Sequence, residues 1–227
     1  MRILAILFPR FTAIDLIGPT QTWMFMPNVQ IQMAAAHPGP VPTDIGLTIN
    51  ATHDFSTCFQ EPDVLLVPGG ARGLFEALKD DSLIEHIARI GAKADWVTSV
   101  CNGSLLLGAA GLLRGYKAGC YWYSRDYLRH FGAEPVNERV VIDRNRATGG
   151  GMTAGMDFGL SMVGHWAGES VGQVAELVME YAPQPPFGVG RPELAPPNVL
   201  TMANQILADE MPNSIALETA RRRGFGY

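Results

Sequence analysis

The stretch Trp96-Val97-Thr98-Ser99-Val100-Cys101-Asn102-Gly103-Ser104-Leu105-Leu106-Leu107-Gly108-Ala109-Ala110 constrains the fold more than any other part of these 227 residues. An apolar, β-branched run ends on a single cysteine. A glycine follows two residues later, and a helix-forming run begins. A sharp strand-to-helix turn of this kind lifts a reactive side chain above a sheet. The nucleophile elbow of serine hydrolases has the same geometry with serine in the cysteine's place. A thiol there lies at a helix N-terminus, where the dipole and free backbone N–H groups favour thiolate. The competing reading is a small buried hydrophobe, since unpaired cysteines are among the most buried residues.

The rest of the chain alternates in the same way. Residues 3–8, 29–36 and 64–67 are apolar runs of strand length, as expected of a parallel sheet covered on both faces. Helical spacing spans 14–26 and then 74–94, the latter as two helices broken near Asp80-Asp81. Residues 41–52, with Gly46, suggest a hairpin or edge excursion. Residues 139–142 and 146–148 flank a turn at Asp143-Arg144-Asn145. Gly149-Gly150-Gly151 then opens a helix from about 153 to 167. A further helix over 171–181 is stopped by Pro183, Pro185 and Pro186, and 198–208 and 214–222 are candidate terminal helices. Strands alternating with helices predict the α/β class with a mostly parallel sheet. In such sheets ligands sit at the carboxyl ends of the strands. Three loops fall there: those carrying Asp15, Gly69-Gly70 and Cys101.

Hydrophobic residues make up 47% of the chain and charged residues 17%, enough for a large core. The net charge of −5 and the lack of a basic block argue against a nucleic-acid partner. Arg221-Arg222-Arg223 reads as a solvated tail. Cys58, Cys101 and Cys120 are odd in number and show no CxxC spacing, which argues against a disulfide framework and a metal site. The first apolar run is too short to cross a membrane, so no membrane partner and a reducing cytoplasm are expected.

A thiol nucleophile needs donors for developing negative charge and a partner for proton transfer. The backbone N–H of Asn102 follows the cysteine directly. The N–H groups of Gly70 and Ala71 are candidates for the second arm, because glycine permits close backbone approach. None of the five histidines falls at a strand end near the elbow. Asp15 is the better candidate: a lone carboxyl among Ile14, Leu16 and Ile17, where burial raises its pKa and lets it deliver a proton. A helix N-cap is the other reading of Asp15. Neither glycine-rich turn carries a P-loop or a dinucleotide fingerprint in the right context.

These residues carry a resemblance. Leu7-Phe8-Pro9, Asp15 with Leu16-Ile17-Gly18-Pro19, Val67-Pro68-Gly69-Gly70, the Cys101 elbow, Thr148-Gly149-Gly150-Gly151 and Glu180-Tyr181-Ala182-Pro183 resemble the DJ-1/PfpI (ThiJ) superfamily and, within it, the isocyanide hydratases. The resemblance spans residues 2–192. It implies a flavodoxin-like three-layer α/β sandwich as one domain over 1–227, a homodimer, and neither cofactor nor metal. It also implies a small-molecule substrate: the elbow cysteine attacks an organic isocyanide, a thioimidate forms, and water releases an N-substituted formamide. Cys101 and Asp15 match the nucleophile and the acid. Two positions depart from that pattern. Asn102 stands where the hydratases typically carry threonine, which keeps the backbone donor and exchanges a hydroxyl for an amide. Cys120-Tyr121-Trp122 stands where a Thr-His-Trp run is common. Other readings on the same scaffold are glyoxalase- or amidase-like thiol chemistry, and a redox-sensing or ligand-binding domain using Cys101. The regulators of this superfamily carry DNA-binding helices, for which the residues after Phe187 are expected to be too few. Trp23, Trp122 and Phe187 hint at an apolar pocket, though aromatic side chains such as these more often serve as core.

Overall fold

A computed structural model describes residues 1–226. The apolar runs form a sheet because each can bury both faces, and the amphipathic runs between them form its covering helices. In chain order the elements begin β1 (Arg2–Ile6), α1 (Ala13–Trp23), β2 (Gln30–Ala35), β3 (Gly39–Pro42), β4 (Thr48–Ala51) and β5 (His53–Asp54). They continue with β6 (Val64–Val67), α2 (Arg72–Ala77), α3 (Asp81–Gly91), β7 (Trp96–Ser99), α4 (Gly103–Ala109) and β8 (Lys117–Ala118). The remaining elements are β9 (Glu134–Pro135), β10 (Val140–Asp143), β11 (Arg146–Gly149), α5 (Ala154–Ala167), α6 (Glu169–Val178), α7 (Pro197–Glu210) and α8 (Ser214–Arg222). Two short 3-10 helices cover Arg125–Phe131 and Pro192–Leu194.

The seven-stranded sheet runs in the order β10-β11-β7-β6-β1-β2-β5. All its pairings are parallel except that of β10 with β11, the hairpin expected around Asp143-Arg144-Asn145. The excursion expected near Gly46 is the antiparallel pair β3 and β4. The break between α2 and α3 is fixed by Asp80, whose side chain caps α3 by accepting from Leu83 N–H at 3.1 Å.

β7, β6 and β1 are adjacent, with Ile3–Ala5 paired to β6 and all of β6 paired to β7. The loops leaving their carboxyl ends therefore open side by side. α1 and α5 pack closely over this region. A Cβ on Gly159 would lie 2.2 Å from Thr22 Oγ1, and one on Gly155 would lie 3.3 Å from Val100 Cγ1. The glycines of α5 thus bring that helix down onto α1 and onto the end of β7. Trp23 fills the core between Phe158 and Trp166, with ring centroids 5.8 and 5.5 Å away. No helix of the described residues is long and apolar enough to cross a membrane.

Candidate active site

Cys101 follows β7 with φ of +60°, a left-handed conformation that a side chain other than glycine rarely adopts. Such strain persists where the surroundings over-determine it. Here they do. Cys101 N–H donates to Gly150 O at 2.7 Å, and Gly103 N–H donates to Val100 O at 3.1 Å. Gly103 is pressed against the end of β6: a Cβ there would lie 2.3 Å from Val67 O. The turn can be this tight because the residue entering α4 has no side chain.

Asp15 lies in the first turn of α1 and is fully buried. It is not the N-cap, which is Thr12. Instead its Oδ2 accepts from Gly69 N–H at 3.0 Å, across to the next strand's loop. Oδ1 is buried with no hydrogen-bond partner, and the Cys101 thiol is within interaction range of the carboxyl. Gly69 is what permits this meeting. A Cβ at 69 would fall 2.5 Å from Asn102 Oδ1, 2.8 Å from Asp15 Oδ2 and 2.8 Å from Cys101 Cβ.

The expectations for the donors need one correction. Gly70 N–H is not free for a substrate, because it donates to Asn102 Oδ1 at 2.9 Å. Asn102 Nδ2 donates back to Gly70 O at 3.0 Å. The Asn102 amide is thus a double clamp between the elbow and the Gly69-Gly70 turn, and not a group presented to the site. The remaining candidate donors are the backbone N–H of Asn102, which faces the Cys101 sulfur, and that of Ala71 at the N-cap of α2.

A second correction concerns the thiol. The helix end was expected to favour thiolate, but α4 is seven residues long and Cys101 is sealed from solvent. Burial pushes the Cys101 thiol well above the ordinary range, and the nearby Asp15 and Cys120 add to this; the Asn102 N–H opposes it. Burial likewise raises the Asp15 carboxyl to about 8, against the lowering effect of the Gly69 N–H. At neutral pH the pair therefore rests as a neutral acid beside a neutral thiol. Cys120 is buried as well, with its thiol pushed up to about 12. All three cysteines are free.

A pocket of about 240 Å³ lies on the far side of Cys120 and Tyr121 from this pair, and neither Asp15 nor Cys101 lines it. Cys120, Tyr121, Trp122 and Gly150 line its inner side. Gly150 O is the acceptor of the Cys101 N–H, so this wall is tied to the elbow backbone. Of the aromatic residues that hinted at a pocket, Trp122 lines it. Trp23 is core, and Phe187 is 84% exposed to solvent. No sequence pattern marks the space-making role of Gly69 or the arginines of the outer wall, Arg125, Arg139 and Arg191. These come from distant segments and share no spacing that could have joined them.

The DJ-1/PfpI family model matches residues 1–165. The chain belongs to the DJ-1/PfpI family. The isonitrile hydratase of Pseudomonas putida is 41% identical over 206 residues, covering 91% of this chain and 90% of that protein. A THiJ/PfpI family protein from Pseudomonas syringae, known from a crystal structure, has a TM-score of 0.92 to this chain. It is 42% identical, with 96% of this chain and 90% of that one covered. A deglycase of Pyrococcus abyssi is more distant, 27% identical over 146 residues, or 64% of this chain and 87% of that protein. The α/β fold with its mostly parallel sheet is that of the DJ-1/PfpI family.

Proposed function

We propose that this DJ-1/PfpI protein is a hydro-lyase that adds water to an organic isocyanide and releases an N-substituted formamide. The observation that carries the reading is the buried meeting of Asp15 and Cys101 around Gly69. Its likeness to an isonitrile hydratase of Pseudomonas putida supports the substrate class. A terminal isocyanide carbon must gain both a nucleophile and a proton. A neutral thiol beside a neutral carboxyl supplies both without moving net charge into a dry site.

Asp15 Oδ2 is engaged as an acceptor by Gly69 N–H, so the carboxyl proton belongs on the unpartnered Oδ1. In the first step Cys101 Sγ bonds to the isocyanide carbon. Asp15 gives that carbon a proton and takes the thiol proton, and a thioimidate results. Water then adds its oxygen to the same carbon and a proton to nitrogen. The C–S bond breaks, the hydroxyl proton returns to sulfur through Asp15, and the formamide leaves. The backbone N–H groups of Asn102 and Ala71 are the donors for charge developing along this path. The enzyme works in the cytoplasm as a homodimer, a state supported by apolar side chains exposed on α1, α6 and α7 such as Ile17, Leu177 and Ile206.

The test is formamide production from an alkyl isocyanide by purified protein. Wild type is expected to turn over, and Cys101→Ala to be inactive. Absence of formamide from wild type contradicts the reading. Full activity in Asp15→Asn removes the proton-transfer role and leaves the nucleophile standing.

A further inference from the structure

The pocket behind Cys120 and Tyr121 is more charged than a simple alkyl isocyanide requires. Arg125, Arg139 and Arg191 line it against one lining carboxylate, Glu138. Arg139 is already neutralised by its ion pair with Asp157, and it also reaches Thr153 Oγ1 at 3.2 Å. Arg125 is in a different position. It is half-buried, and its hydrogen bond goes to a neutral acceptor, Asn137 Oδ1. Among the described residues it makes no ion pair at contact distance. It shares the pocket lining with Cys120, whose thiol feels its charge. Its charge also reaches Glu193 at the rim, but that carboxylate is exposed and is held by Asn137 Nδ2 at 2.8 Å.

A guanidinium carries five N–H donors in a fork that fits a carboxylate. The remaining donors of Arg125 face the pocket with no carboxylate of the described residues at contact distance, so an anionic ligand there would find a free fork. The pocket volume of about 240 Å³ suits a small molecule. We propose that this pocket receives the anionic end of the substrate, with Arg125 as the binding residue, so that the enzyme prefers small isocyanides bearing a carboxylate. The proposal rests on the hydratase reading and adds the substrate class to it.

Isocyanoacetate and its methyl ester differ in this charge and share the reacting group. Wild type is expected to hydrate the anion with a kcat/KM about tenfold or more above that of the ester, the scale of one charge-assisted hydrogen bond. Arg125→Gln is expected to lower kcat/KM for the anion about tenfold more than for the ester, and Arg125→Lys to keep part of the preference. Raising ionic strength is expected to raise KM for the anion more than for the ester, a readout that needs no variant. Equal rates for both compounds, or a preference untouched by Arg125→Gln and by salt, overturn the anionic pocket while the hydratase reading stands. Hydration of neither compound, nor of cyclohexyl isocyanide, overturns the hydratase reading and the pocket assignment with it.

Discussion

Asp15 loses all its solvent on folding and gains one backbone donor, Gly69, in return. One N–H does not compensate a buried carboxylate, so its folded pKa of about 8 lies far above the ordinary value of 3.8. The folded state then holds a proton that the unfolded chain releases between those two values. Stability therefore falls as pH rises through that window, with a slope of at most about 1.4 kcal/mol per pH unit from this group. Urea unfolding between pH 4 and 8 is expected to show the decline in wild type, and Asp15→Asn to flatten it. An equally steep decline in the variant contradicts the assignment. For catalysis the same titration predicts a kcat/KM that drops above about pH 8, where Asp15 loses the proton it must deliver. Gly69→Ala is expected to abolish turnover while the protein remains folded, because its methyl would fall 2.8 Å from both the carboxyl and Cys101 Cβ. Circular dichroism beside the activity assay separates the two effects.

At the scale of elements, the site depends on close approach at the ends of β6 and β7. A methyl at Gly103 would lie 2.3 Å from Val67 O, and that backbone cannot yield cheaply. Gly103→Ala is expected to cost about 1–3 kcal/mol by thermal unfolding, as overpacking does. The same holds where α5 meets α1 at Gly159. Much of this was legible in the sequence. Apolar runs gave the inner strands, the break expected near Asp80-Asp81 separates α2 from α3, and Asp15 stood out as one carboxyl in an apolar turn. What escaped was set by tertiary contact. The protonation of Cys101 follows from how deeply the elbow is covered, a depth set by tertiary packing that outweighs the helix end. The pairing of Asn102 with Gly70 joins loops 32 residues apart, and no local pattern marks it. Phe187 read as a pocket wall because it is aromatic, yet it projects from a strap rich in proline and glycine.

For the whole molecule, the outer helices leave apolar side chains in water. Leu177 of α6 is 81% exposed and Ile206 of α7 is 64% exposed, and α7 buries none of its residues. Surfaces of this kind mark interaction sites more often than chance. Sedimentation is expected to give a dimer, and Leu177→Glu to shift it toward monomer; a wild-type monomer at micromolar concentration contradicts the homodimer. The central claim is that Cys101 carries the reacting carbon. Addition of a thiol across an isocyanide loses no atoms, so rapid mixing and acid quench are expected to show an intact-protein mass raised by the full mass of the isocyanide, located on the Cys101 peptide. An unmodified Cys101 at every time point while formamide accumulates, with Cys101→Ala equally active, would contradict it.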